Sequence, residues 1–320
     1  MTACTQRFVL AGQPVVIEHR TGALEGIVAR LYEHGAAPAS PAADDDALRL
    51  VVEAGQGRAP ELPAEEILSL SADRPIRGAL GRDVLALTDG RTYATADYAR
   101  GSAGLTIYED DEAALFVAAR RLFPIVLGEL LRCRGCYPVH GAAIDGPGGG
   151  ILLLGDSGAG KSTLVYRALS QGFRCVADDG VILAPGGPGG ARIYPFYRDF
   201  TLDPALLPTG LDLPAVPSEP APTYPKVRVE LPSSLLIESC VPRKLALVRR
   251  ADAPASRVEP CTEAEAVAEL YRQHPWLAVY PPLAQPHLDE LATLATACAK
   301  ITVHSGVDIL QSGHKFVMEQ

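Results

Sequence analysis

Gly155-Asp156-Ser157-Gly158-Ala159-Gly160-Lys161-Ser162 is a complete G-x-x-x-x-G-K-S loop, and Thr163 follows it. Glycines at these positions let successive backbone N–H groups curl around a phosphate at the positive end of the following helix. In that arrangement Lys161 reaches the β- and γ-phosphates of a nucleoside triphosphate, and Ser162 supplies an oxygen to Mg²⁺. The adjacent acids Asp178-Asp179 are the second chemical feature. One carboxylate there can complete the Mg²⁺ shell, and the other can take a proton from an attacking hydroxyl. His140 stands fifteen positions before Gly155. A lone histidine is ordinarily a structural residue, so its interest comes from this company.

The loop needs a strand before it and a helix after it. Ile151–Leu154 is an apolar run of strand type, and the stretch 164–171 has helical character with Gly172 as its cap. The strand 173–177 then runs back and carries Asp178 and Asp179 toward the phosphate-bearing edge of the sheet. Upstream, 7–107 contains short β-type runs broken by Gly, Pro and Asp, which predicts a small strand-rich domain. Apolar residues at helical spacing over 111–132 predict one or two helices, broken or kinked at Pro124. The acidic stretch 36–46 reads as an exposed loop. Between 193 and 232 the chain is proline-rich without long periodicity, which predicts sparse regular structure and a segment able to cover the site. Regular pattern returns with a strand at 244–248, helices at 262–272 and 285–300, and a strand at 301–303; Thr262-Glu263-Ala264-Glu265 has a capping-box shape. The expected organisation is a strand-rich domain over 1–108, a helical connector over 109–136 and a nucleotide-binding catalytic domain over 137–320.

Composition narrows the function classes. A chain of 320 residues with 48% hydrophobic composition has material for a large core. Its net charge of −9 argues against a broad nucleic-acid surface, which rests on clustered Lys and Arg. No apolar run is long enough to span a bilayer, and the first residues lack the pattern of a secretory signal, so a cytoplasmic protein is expected. Seven scattered cysteines do not make a disulfide framework; Cys133-Arg134-Gly135-Cys136 lacks a second ligand pair and reads as idle thiols.

Three motifs taken together resemble a known family. His140-Gly141-Ala142-Ala143-Ile144, then Leu154–Thr163, then Gly172–Asp179 occur in the order and spacing of the core of HPr kinase/phosphorylase and its kinase-like relatives. The resemblance implies an α/β fold with a P-loop kinase core of the HPr kinase/phosphoenolpyruvate carboxykinase-like type. It implies ATP and Mg²⁺ as cofactors, bound by the Lys161/Ser162 loop. Asp178 and Asp179 would supply the base and a metal-site function, with the assignment between them open, and His140 matches a position beside the phosphates. Oligomers occur in that family, so self-association is an expectation by resemblance. Two departures stand out: Thr163 occupies a position where the bifunctional enzymes often carry Glu, and their later glycine-rich signature with a metal-binding acid is missing. The divergent N-terminal half looks more like the kinase-like relatives found with modified-peptide pathways, including those that phosphorylate serine in lasso peptides.

Further candidates surround this set. Within Ile193–Phe200, aromatic residues could stack on adenine or line a substrate groove, Arg198 could neutralise phosphoryl charge and Asp199 could replace the missing acid; packed aromatics on an edge strand explain the stretch equally well. Lys226 and Arg228 are further candidates for phosphate or substrate contact. Arg243-Lys244 and Arg249-Arg250 read as a solvated edge, and His274-Pro275-Trp276 as core packing. The leading expectation is an ATP-dependent kinase acting on a serine hydroxyl of a protein or peptide. A small-molecule hydroxyl kinase and a nucleotide-sensing regulator without transfer are the alternatives.

Overall fold

The structure is a computed structural model that describes residues 4–19, 37–38, 46–62, 76–109, 112–186, 190–198, 200–204, 211, 213, 215–216, 227–274 and 277–308. It is a mixed α/β fold that divides into two compact units, 1–137 with 277–285, and 138–276 with 286–320.

The first unit holds strands β1 (Cys4–Leu10), β2 (Gln13–His19), β3 (Ala37–Pro38), β4 (Leu48–Ala54), β5 (Arg77–Leu80), β6 (Val84–Thr88), β7 (Thr92–Asp97) and β8 (Ser102–Ile107). They form an eight-stranded sheet in the order β3-β1-β2-β4-β8-β7-β6-β5. Strand β7 buries every second residue, Thr92, Ala94 and Ala96, the period expected of a sheet with one face covered. Helix α1 (Glu112–Arg132) lies across β4, β7 and β8. Its buried stripe, Leu122, Phe123, Val126, Leu127, Leu130 and Leu131, follows the helical repeat. Pro124 neither ends nor divides this helix. Proline removes one intrahelical hydrogen bond, a loss that burial of the six apolar side chains around it offsets.

The second unit contains β9 (Tyr137–His140), β10 (Ala142–Gly146), β11 (Gly149–Leu154), α2 (Lys161–Leu169), β12 (Arg174–Ala177), β13 (Gly180–Pro185) and β14 (Ala191–Pro195). The chain continues with β15 (Phe200–Leu202), β16 (Ala215–Val216), β17 (Val227–Val229), β18 (Pro242–Arg250), β19 (Arg257–Pro260), α3 (Glu263–Arg272), α4 (Pro281–Ala297), whose residues up to Gln285 belong to the first unit, and β20 (Ala299–Ser305). The main sheet runs β12-β10-β11-β18-β20-β19, and β14-β13-β9 and β15-β17-β16 form two smaller sheets. At its centre β11, β18 and β20 are parallel. Central parallel strands are covered on both faces, which is why Ile151–Leu154 and Leu245–Val248 are continuous buried runs. Helix α2 packs on β10 and β12 through Leu164, Val165, Ala168 and Leu169.

Among the described residues of 193–232, regular structure is limited to the end of β14 and the sheet β15-β17-β16. Its strands, Phe-Thr-Leu, Ala-Val and Val-Arg-Val, contain no proline, and Phe200, Leu202 and Val229 are buried in the core around α2. The prolines punctuate these strands instead of preventing them. Helix α4 starts earlier than expected, with Pro281 at its first position, where a missing N–H costs nothing. At α3 the capping box forms as read: the Thr262 hydroxyl accepts from Glu265 N at 3.2 Å, and Glu265 Oε2 accepts from Thr262 N at 2.8 Å.

Candidate functional site

The loop leaves the end of β11 and turns into α2. Gly155, Gly158 and Gly160 have φ of 148°, 81° and 107°, values that side chains rarely tolerate. A Cβ on Gly155 would lie 2.2 Å from the Val248 carbonyl oxygen of neighbouring β18, so this glycine also makes a close approach of backbone to backbone. Ser305, at the end of β20, places its hydroxyl 2.7 Å from the Ala159 carbonyl and 3.1 Å from that of Arg249, which braces the loop from behind. Helix α2 begins without a side-chain cap and without an acid in its first turn. Its N-terminal N–H groups and partial positive charge therefore face the loop, a combination suited to an anion. Asp156, Ser157 and Gly158 are exposed on the loop, Ala159 is buried, and Ser162 and Thr163 are half-buried in the first helical turn.

Lys161 is buried, and its ammonium donates to the Gly155 and Asp156 carbonyls at 2.6 and 3.1 Å. It also lies 3.2 Å from His140 Nε2. Since an ammonium only donates, Nε2 must accept, which leaves the proton on Nδ1. Nδ1 faces Asp179 Oδ1 at 3.5 Å. Burial holds the His140 pKa below the ordinary imidazole range against the pull of Asp179, and the Lys161 charge adds to the lowering. His140 is thus neutral near pH 7 and links the loop lysine to the acid. Its backbone N–H donates to the Gln273 carbonyl at 3.2 Å, fixing the end of β9 to the end of α3.

The two acids occupy different surroundings. Asp178 is buried, with Oδ2 3.5 Å from the Thr201 N–H, whereas the Asp179 side chain is about half exposed. The Tyr197 hydroxyl donates to Asp179 Oδ2 at 3.1 Å. Its ring covers Gly180, where an added Cβ would meet ring atoms at 3.1 Å, so the absent side chain makes room for the tyrosine. Lys161, His140, Asp179 and Tyr197 therefore form one connected polar chain. Among the described residues no group of three or more His, Cys, Asp or Glu side chains could hold a metal ion. Mg²⁺ does not require such a cage, because it takes one or two protein oxygens and completes its shell with substrate phosphate and water.

No protein-family profile matches the chain. Individual proteins do. HPr kinase/phosphorylase of Bordetella pertussis is 47% identical over 51 residues, 16% of this chain and 17% of the relative. The enzymes of that name from Chromobacterium violaceum and Nitrosomonas europaea are 42% and 41% identical over 64 and 63 residues, in each case 19% of this chain and 20% of the relative. The chain is a divergent HPr kinase-like relative. It matches no more than 20% of the length of these curated proteins.

Around the HPr kinase-like loop, several sequence candidates take other positions. Arg198 donates to the Ile237 carbonyl at 2.9 Å. Lys226 and Asp199 lie outside the described residues, as do Pro275, Trp276 and most of the acidic stretch 36–46. Phe196 is buried in the core, and Tyr197 serves Asp179. His274 packs edge-on against His287 with ring centroids 4.7 Å apart, in line with core packing. Burial pushes the Cys133 and Cys136 thiols up to about 11, which keeps them protonated and poor as ligands or nucleophiles. No helix among the described residues is long and apolar enough to cross a membrane. Tyr197, one of the candidate aromatics of 193–200, contacts the acid, whereas two contributors lie outside every motif: Ser305 behind the loop, and Arg272, whose guanidinium pairs with Asp156. The capping box at Thr262 was the sequence signal nearest to Arg272, since it begins the helix that ends there.

Proposed function

We propose that this chain is an ATP-dependent kinase that transfers the γ-phosphoryl group to a hydroxyl, foremost serine of a protein or peptide. In this reading the second unit is a nucleotide-binding core of the HPr kinase/phosphoenolpyruvate carboxykinase-like type. The observation that carries the proposal is the connection from Lys161 through His140 to Asp179, with contacts of 3.2 and 3.5 Å. Nucleotide binding alone needs the loop and its lysine; it does not need a solvent-accessible carboxylate held beside them.

The loop N–H groups and Lys161 bind the triphosphate. Mg²⁺, when bound, would be held by Ser162 and Asp178 and would supply neutralisation of the developing charge. Asp179, half exposed and oriented by Tyr197 and His140, is the base. It takes the hydroxyl proton as the oxygen bonds to the γ-phosphorus and the bond to the β-phosphate oxygen breaks, releasing ADP. Neutral His140 keeps a second positive charge away from Lys161 and holds Asp179 close to the transferring group. Thr163 in place of Glu after Lys161-Ser162 accords with a forward kinase rather than a bifunctional kinase/phosphorylase.

Incubation with labelled ATP and peptides encoded nearby on the genome, followed by mass spectrometry, tests the acceptor. The expected result is a serine carrying one phosphate. ATP consumption that responds only to a small metabolite moves the reading to a small-molecule kinase, and tight ATP binding without any transfer refutes it in favour of a nucleotide sensor. Asp179→Asn is expected to leave ATP binding nearly intact and lower transfer by about two to four orders of magnitude; transfer at full rate removes Asp179 as the base.

A further inference from the structure

Arg272 closes α3 and points back at the loop. Buried Glu269 holds it one turn earlier: Glu269 Oε1 accepts from one terminal nitrogen at 2.5 Å, and Oε2 accepts from Nε at 3.2 Å. Glu269 Oε1 also accepts from the Gln273 side-chain amide at 2.6 Å. This fork fixes the guanidinium plane with two of its nitrogens and leaves the other terminal nitrogen, Nη1, directed at Asp156 Oδ1 of the phosphate loop. The Asp156 carbonyl is also a partner of the Lys161 ammonium, at 3.1 Å. The arginine is thus tied to the same loop residue that anchors the lysine meant for the β- and γ-phosphates.

Charge around Asp156 is one-sided. Arg272 foremost, then Lys161 and Arg249, hold its carboxyl below the usual carboxylate range. Its side chain is 72% exposed and that of Arg272 47% exposed, so their pair is screened and contributes little. The fork to Glu269 is different, because Glu269 is only 6% exposed. The Arg272 head therefore stays where it is while its contact with Asp156 exchanges readily. A triphosphate entering the loop brings more negative charge than one carboxylate and accepts through several oxygens.

We propose that Arg272 is a phosphate-binding residue for the terminal phosphoryl group of a Mg–nucleoside triphosphate, resting on Asp156 until the γ-phosphate replaces that carboxylate. This rests on the kinase reading for the nucleotide, and it assigns to Arg272 the charge-neutralising contact that the sequence had suggested for Arg198, which is engaged at the Ile237 carbonyl. An arginine built into the chain would supply the positive charge that a loose phosphoryl-transfer transition state requires without a partner protein.

Calorimetric titration of the full chain with Mg–ATP and Mg–ADP tests it, because binding needs no acceptor. Arg272→Ala should weaken Mg–ATP roughly tenfold or more and leave Mg–ADP within about twofold. Asp156→Ala should bind Mg–ATP as tightly as the wild type or more tightly. Arg272→Lys keeps the charge beside Glu269 and the fold, but one ammonium cannot hold the fork and reach the loop together, so it too should lose ATP preference. The proposal is overturned if folded Arg272→Lys and Arg272→Ala keep the wild-type ratio of ATP to ADP affinity. It is also overturned if Asp156→Ala weakens ATP as much as Arg272→Ala, which would make the pair a brace for the loop. A wild-type chain that binds neither nucleotide overturns the phosphate-loop reading itself, and this proposal with it.

Discussion

Alanine at Gly155 and alanine at Gly158 should have very different consequences, although both glycines belong to one motif. Both have positive φ, so each substitution carries backbone strain of about 1 kcal/mol. At Gly158 nothing lies within 4 Å of the added Cβ, and the strain is the whole cost. At Gly155 the Cβ would sit 2.2 Å from Val248 O, far inside the 3.4 Å at which ordinary contact begins. Val248 cannot yield. Its strand is paired on one side with β11, Leu247 opposite Leu154, and on the other with β20, Val248 opposite Val303. The loop must move instead, adding about 2 kcal/mol or more of overpacking. The Gly155 carbonyl, which accepts from Lys161 at 2.6 Å, moves with it. A total near 3 kcal/mol reduces the binding-competent loop to about one part in a hundred, and apparent affinity falls with that fraction. We therefore expect Gly155→Ala to weaken Mg–ATP about a hundredfold and Gly158→Ala to weaken it about fivefold, measured by calorimetric titration, with circular dichroism confirming that both variants fold. If Gly155→Ala binds within about threefold of the wild type, or Gly158→Ala suffers the larger loss, the steric argument is wrong.

Three further outcomes are expected. Tyr197→Phe removes one hydrogen bond to a half-exposed carboxylate, about 1 kcal/mol after allowing for solvent, so kcat should fall about fivefold with KM for ATP unchanged. In an Asp179→Asn background the same substitution should have almost no further effect; additive losses would show that Tyr197 acts elsewhere. Because His140 has a lowered pKa in the folded chain, the unfolded chain takes up its proton first as pH falls below about 6.5. The stability held above that value should diminish down to the depressed folded pKa, and His140→Gln should flatten this part of a melting-temperature profile; an unchanged slope counts against a neutral His140. Thr262→Ala should cost about 1 kcal/mol by removing the capping box of α3, read by thermal unfolding.

The phosphate loop, its preceding strand and its following helix were legible in the chain because they are local: consecutive glycines, an apolar run and a helical repeat lie within one stretch. The same holds for Asp178-Asp179 at the end of β12 and for the capping box of α3. Whether 111–132 forms one helix or two was left open by the sequence, since Pro124 is a local breaker whose effect is outweighed by burial against β4, β7 and β8. The strands within the proline-rich region were not legible, because they are too short for a periodic signal and are stabilised by pairing with one another.

By itself, then, the sequence determined the glycine-rich loop with its flanking strand and helix, and the presence of two acids at the returning strand. Tertiary structure decided which side chains complete that set. Arg272 reaches Asp156 across a separation of 116 residues, and Ser305 reaches Ala159 across 146. Those meetings depend on the parallel order of β11, β18 and β20 and on where α3 ends, and both are settled by burying apolar faces against partners distant in the chain. A local pattern specifies that an element forms and which face it buries. It does not specify what stands beside its last residue, which is why Arg198 and Arg272 look alike in the sequence and only Arg272 faces the loop.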